Sequence, residues 1–205
     1  MNKPSPIAAQ DLAPGFQDPP LDSQRVFRAV LQAMARPGQI QAIDRLPEAP
    51  RPLAAATGAL ALTLFDLDTP IWLSSDLSGP AAQYLAFHTG APRVDAVGDA
   101  RFLVIGAGHD LPDLSTIDLG DAEYPERAAT LIIQVEGLAS GSRKRLRGPG
   151  IAGHIDIAVT GLAESFWDAF ALNRKRFPLG FDAFLVSGSA VLGLPRSTIL
   201  DPLEE

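Results

Sequence analysis

The sequence predicts an α/β protein: a single layered domain whose mixed sheet is flanked by helices. Apolar residues at helical spacing alternate along the chain with short β-rich runs, the pattern of helices laid against a sheet. With 205 residues, 46% of them hydrophobic, the chain is long enough to bury one sizeable core. Pro or Gly beside a polar residue closes the apolar runs, at Met34-Ala35-Arg36-Pro37-Gly38, Tyr124-Pro125-Glu126-Arg127-Ala128-Ala129-Thr130, Arg147-Gly148-Pro149-Gly150-Ile151, Phe177-Pro178-Leu179-Gly180 and Leu194-Pro195-Arg196-Ser197-Thr198. Proline fixes φ and glycine reaches positive φ, so each segment specifies a rigid turn.

In chain order, residues 1–21 are rich in Pro, Asp and Gln without periodicity and read as a loose arm. Residues 22–200 read as the folded domain and residues 201–205 as an acidic tail. Ser23 is the expected cap of a first helix, with Val26, Phe27, Val30, Leu31 and Met34 at helical spacing until Pro37-Gly38 stops it. Residues 39–43 alternate as a short strand. Residues 53–65 are almost wholly apolar and read as a helix buried on most sides. A strand over residues 69–73 and a helix over 80–87 follow, the helix stopped by His88-Thr89-Gly90-Ala91-Pro92. Residues 101–105, 130–135, 155–159 and 181–186 supply further strands. A last helix over residues 163–176 presents Phe166, Ala169, Phe170 and Asn173 on one face and ends in Arg174-Lys175-Arg176, which suits the negative end of its dipole.

Composition narrows the function classes. The chain has no cysteine, which excludes disulfides and thiolate chemistry and fits a cytoplasmic protein. Neither a membrane span nor a signal peptide is expected, because no apolar run approaches ~18 residues and residues 1–20 hold no continuous apolar core. Net charge is −7, so general nucleic-acid binding is not expected. The charge is uneven, however: residues 1–142 carry a net −8, while residues 143–200 carry +4 and offer a local surface for anions.

Catalytic motifs are absent. Gly106-Ala107-Gly108-His109-Asp110-Leu111 follows a predicted strand as a dinucleotide loop would, but Leu111 replaces the third glycine and Pro112 falls inside the helix that should follow. The three histidines, His88, His109 and His154, are too far apart in sequence for the close pairs of a metal site, so no metal is expected. His88, at a helix end, is read as a carbonyl cap or a ligand-facing group. Lys3, Lys144 and Lys175 are the only lysines, and none has the apolar surroundings a pyridoxal Schiff base needs, so no cofactor is expected. What remains is arginine. Arg127, Arg147 and Arg196, with Gly148, Gly150 and Thr198, supply the guanidinium forks, backbone N–H groups and hydroxyl of a phosphate or phosphonate pocket, or else ordinary surface charge.

Seven blocks taken in order resemble the PhnH family, a subunit of the bacterial carbon–phosphorus lyase machinery. They are Met34-Ala35-Arg36-Pro37-Gly38, Leu62-Thr63-Leu64 with Asp68-Thr69-Pro70-Ile71-Trp72-Leu73, Phe87-His88-Thr89-Gly90-Ala91-Pro92, Ala129-Thr130-Leu131-Ile132, Gly148-Pro149-Gly150-Ile151, Phe177-Pro178-Leu179-Gly180 with Asp182, and Leu194-Pro195-Arg196-Ser197-Thr198. The resemblance spans residues 24–198 and departs at Ser197, where a threonine is expected. It implies a cytoplasmic homodimer with a fold similar to pyridoxal-phosphate-dependent transferases but lacking the cofactor lysine. It also implies work with PhnG, PhnI and PhnJ subunits, at the step that forms ribose 1-phosphonate 5-triphosphate from ATP and a phosphonate. An accessory subunit of that complex and a stand-alone phosphate- or phosphonate-binding or transferase enzyme with an arginine-lined pocket are the two functions carried forward.

Overall fold

The most continuously apolar runs of the sequence become the central strands of the protein, which a computed structural model describes over residues 13–202. In chain order the elements are α1 (Pro19–Ala35), β1 (Gln41–Ala42), α2 (Ala55–Leu64), β2 (Ile71–Leu73), α3 (Pro80–Thr89), β3 (Phe102–Ile105), β4 (Thr130–Gln134), β5 (Gly137–Arg147), β6 (Ile155–Thr160), α4 (Glu164–Ala171), α5 (Asn173–Arg176), β7 (Asp182–Ser187), β8 (Ala190–Leu194) and β9 (Ile199–Asp201). Among the described residues one sheet has six strands in the order β1-β8-β7-β4-β3-β2, and a second has three in the order β6-β5-β9. Strands β2, β3, β4 and β7 run parallel, while β8 runs antiparallel to its neighbours β7 and β1, so the larger sheet is mixed as expected.

Buried on both faces, the parallel strands send alternate residues into two cores. Val104, Ile132, Phe184 and Val186 join Val26 and Val30 of α1, Leu60 of α2 and Leu85 of α3 on one side. Leu103, Ile105, Leu131, Ile133 and Leu185 join Leu146 of β5, Ile157 of β6 and the Phe166, Trp167 and Phe170 cluster of α4 on the other. Gly193 of β8 brings α1 onto the sheet, since a Cβ there would lie 2.5 Å from the Ala33 carbonyl oxygen.

Four expectations are corrected. The first helix starts at Pro19, and its cap is Asp18 rather than Ser23: the Asp18 side chain accepts from Leu21 N, and Asp22 returns the bond by accepting from Asp18 N. Pro19 and Pro20 read as breakers, but proline is well placed in a first turn, where its missing N–H has no intrahelical partner to lose. Residues 13–21, assigned to the loose arm, are therefore largely built into the fold: Ala13 and Phe16 pack on the first core, and the Tyr84 hydroxyl donates to Pro14 O at 3.4 Å. Burial pushes the Tyr84 phenol up to about 12, which keeps it a donor. Residues 1–12 of the expected arm, and 203–205 of the expected tail, lie outside the described residues.

At the other end, Asp201 is not tail but the last residue of β9, opposite Arg145 in β5. The final helix is two: the chain tightens at Leu172, whose N–H bonds to Ala169 O. Asn173, expected on the apolar face, is fully buried, and its amide accepts from Phe181 N at 3.2 Å and donates to Phe181 O at 2.8 Å. Strands β5, β8 and β9 were not foreseen. The polar run of β5 carries no β-pattern of its own; it is held by β6 and β9 on its two sides, with a register shift between Gly137 and Ser142.

Candidate functional site

The rigid turn after β8 aims Arg196 inward. Asp182, at the start of β7, accepts from Arg196 N at 2.7 Å and from the guanidinium at 2.6 and 3.2 Å, and Arg196 Nη1 donates to Pro125 O at 2.6 Å. The pair is mostly buried, with 14% and 18% of the two side chains exposed. Arg196 thus ties the turn before β4 to the ends of β7 and β8. Arg127, two residues beyond Pro125, is exposed and lies over the Tyr124 ring, 3.9 Å from its centroid.

Arg147 leaves β5 beside β9 and forms a two-point pair with Asp201, one arm at 2.8 Å. The hydrogen bonds between them, and then their opposite charges, favour the ionised form of each: Asp201 raises the Arg147 guanidinium above its ordinary value, and Arg147 holds the Asp201 carboxyl below its own. Gly148, at φ +133°, lets the chain pass the last turn closely, because a Cβ there would come 3.0 Å from Ser197 O and 3.4 Å from Thr198 Cα. Thr198 is 2% exposed, and its hydroxyl has no hydrogen-bond partner among the described residues. Gly150 faces elsewhere, onto α1, where a Cβ would collide with the Ala35 carbonyl.

His88 sits with α3 against the opposite face of the larger sheet from β5. Gly90, at φ +68°, ends that helix, and the carbonyl that His88 meets lies outside it: its Nε2 is 3.0 Å from Ala13 O and its ring packs on Tyr84 and Phe87. Of the expected anion set, then, Gly148 and Thr198 come together with Arg147 at their edge. Arg196, Arg127, Gly150 and His88 are each engaged with other parts of the fold.

The Gly106 loop is not a phosphate cradle. No helix follows it, and an acidic side chain fills its concavity: Gly106 N donates to Ser74 Oγ at 3.0 Å, Ser74 Oγ donates to Asp76 Oδ1 at 2.5 Å, and a Cβ on Gly106 would collide with the Asp76 carboxylate. His109 stands outside this buttress, 3.6 Å from Asp76 Oδ1 and 3.5 Å from Ser75 Oγ. Among the described residues no group of three or more His, Asp or Glu side chains is placed to hold a metal ion. Lys144 is paired with Glu164 beside the Trp167 ring, a solvated ion pair rather than an isolated amine.

Sequence reasoning missed a recess of about 600 Å³ between the loop around Leu111 to Ser115 and the outer face of α4 and α5, floored by Phe181. Its helical wall is Ser165, Asp168, Ala169, Leu172 and Arg176, a stripe at helical spacing beside the apolar face and the one signal of it in the sequence.

Residues 14–201 match the family model described as bacterial phosphonate metabolism protein (PhnH). Over 187 residues the chain is 44% identical to the alpha-D-ribose 1-methylphosphonate 5-triphosphate synthase subunit PhnH of Rhizobium meliloti (strain 1021), covering 91% of this chain and 94% of that protein. It is also 34% identical over 177 residues to the "Putative C-P lyase subunit protein HtxG" of Stutzerimonas stutzeri, covering 85% of this chain and 84% of that protein.

Proposed function

The chain belongs to the PhnH family of bacterial phosphonate metabolism proteins, and from that premise we propose that it is an accessory subunit of a carbon–phosphorus lyase assembly. It acts there at the step that forms ribose 1-phosphonate 5-triphosphate. The observation that carries the accessory role is the direction of its cations. Arg196 bonds Asp182 and Pro125 O and Arg147 pairs with Asp201, so two of the three candidate phosphate-binding arginines hold strands and turns together. A stand-alone transferase would need them turned toward a shared space with a base among them.

Our reading places the protein in the cytoplasm as a homodimer that joins PhnG, PhnI and PhnJ, with a folded domain over about residues 13–201 similar to pyridoxal-phosphate-dependent transferases without their lysine. Any anion it touches itself, a phosphonate or a nucleotide phosphate, meets Gly148 and Thr198 beside Arg147. The remaining members of the expected set, Arg127, Gly150, Arg196 and His88, serve the fold in this reading. The test is adenine release from ATP plus methylphosphonate. Purified chain alone should release none, and PhnG, PhnI and PhnJ reconstituted with the chain should outpace the same mixture without it. Release by the chain alone would establish the stand-alone enzyme instead.

A further inference from the structure

Helix α1 has a second side that the fold leaves uncovered. Asp22, Val26, Val30 and Ala33 face the core. At 100° per residue the positions pointing away from them include Leu21, Phe27, Arg28 and Leu31. Leu21, Phe27 and Leu31 are 51%, 51% and 53% exposed, and Ile40, just past the helix, is 47% exposed. A single exposed leucine needs no explanation. Three large apolar side chains along about 15 Å of one helix form the kind of patch that soluble surfaces avoid unless a partner covers it.

The charge on this strip is one-sided. Arg28 and Arg36 are exposed and have no carboxylate partner among the described residues. The helix's single acidic residue, Asp22, is buried, accepting from Asp18 N and pairing with Arg45. In a chain of net charge −7 the outer face of α1 is therefore apolar and positive. A second copy docked about a two-fold axis through the middle of this strip would set Arg28 against its own copy, with no exposed carboxylate on the body of either helix between them. The complement is a segment with apolar residues on one side and Asp or Glu at its margins.

Resting on the accessory-subunit reading above, we propose that the outer face of α1 is the docking strip for another subunit of the assembly. That subunit presents an amphipathic, acidic segment covering Leu21, Phe27 and Leu31 and pairing with Arg28 and Arg36.

The test is co-purification of the tagged full chain with PhnG, PhnI and PhnJ from the same genome, alongside light scattering of the chain alone. Wild type should retain at least one of the three. Phe27→Glu and Leu31→Glu should weaken that retention by at least ~10-fold, as loss of a buried apolar anchor does, while keeping the wild-type circular dichroism spectrum and melting temperature. Arg28→Glu should weaken it further at low salt than at high salt. Leu67→Glu, at a position 76% exposed on the loop after α2, serves as the surface control and should bind as wild type does. Variants of α1 that bind normally would overturn the proposal, as would variants that retain the subunits but lose self-association, which would give the strip to a second copy. Failure of wild type to retain any subunit would overturn the accessory reading and this inference with it.

Discussion

Replacing Arg196 with alanine separates a structural arginine from a ligand-binding one. In the wild type its guanidinium meets Asp182 at 2.6 and 3.2 Å and Pro125 O at 2.6 Å, and its own N–H supplies Asp182 with a further bond at 2.7 Å. The substitution keeps the backbone bond but leaves the carboxylate without its counter-charge and Pro125 O with only the longer 3.3 Å bond from Ala128 N. Breaking a buried pair from one side costs about 3–5 kcal/mol. Because 14% and 18% of the two side chains still reach solvent, the lower end applies, about 3 kcal/mol once screening is allowed for. For a domain of this size each kcal/mol shifts the melting temperature by about 2–4 °C, so the midpoint should fall by about 6–12 °C. Calorimetry gives that shift, and titration of phosphate against both proteins gives the anion affinity, which should not change. Arg196→Lys should recover only part of the loss, because an ammonium cannot match the two-point geometry. A wild-type midpoint combined with a tenfold loss of phosphate affinity would refute the reasoning and return Arg196 to an anion site.

Asn173→Leu fills a similar space but strands both Phe181 N–H and C=O, so it should cost about 2–6 kcal/mol in urea unfolding, at about 1–3 kcal/mol per unsatisfied group; a loss under ~0.5 kcal/mol would show that those groups find other partners. Gly106→Ala should cost about 1–3 kcal/mol by driving a methyl into the Asp76 carboxylate, and should cost clearly less in an Asp76→Ala background; additive effects would refute that contact. Asp156 and Asp201 are both held below the ordinary carboxylate range, chiefly by hydrogen bonds from Arg145 and Arg147. A carboxylate whose pKa falls on folding adds stability that is present above its unfolded value of about 3.9 and is lost as pH drops through the folded one. Acid should therefore loosen the β6-β5-β9 sheet before the larger one, with hydrogen exchange below pH 4 rising beyond its intrinsic change first in residues 137–160 and 199–201. Earlier exchange in β4 or β7 would contradict it.

How much of the fold was legible follows from where the information lies. The runs Leu103 to Ile105, Leu131 to Ile133 and Phe184 to Val186 are apolar at every position, so they announce strands buried on both faces wherever their neighbours sit. The Gly90 stop after α3 and the Gly38 stop after α1 were equally readable, because a positive φ of +68° or +82° is a demand that glycine meets locally. Strand β5 was not readable: its Ser, Gly and Arg content predicts nothing until β6 and β9 flank it and bring the Asp156 and Asp201 carboxylates within reach of the Arg145 and Arg147 side chains.

The candidate site divides the same way. Residue types alone identified arginines, glycines and a threonine as suited to an anion, and those chemical capacities belong to the side chains whatever the fold. Which capacity is used was set by strand register. Arg147 finds Asp201 across 54 positions of sequence, and Arg196 finds Asp182 across 14 and Pro125 across 71. Such pairings depend on strands that meet only when the sheets form, since local sequence specifies dihedral preference and the periodicity of burial, while a guanidinium's partner is whichever carboxylate the long-range register brings within about 3 Å.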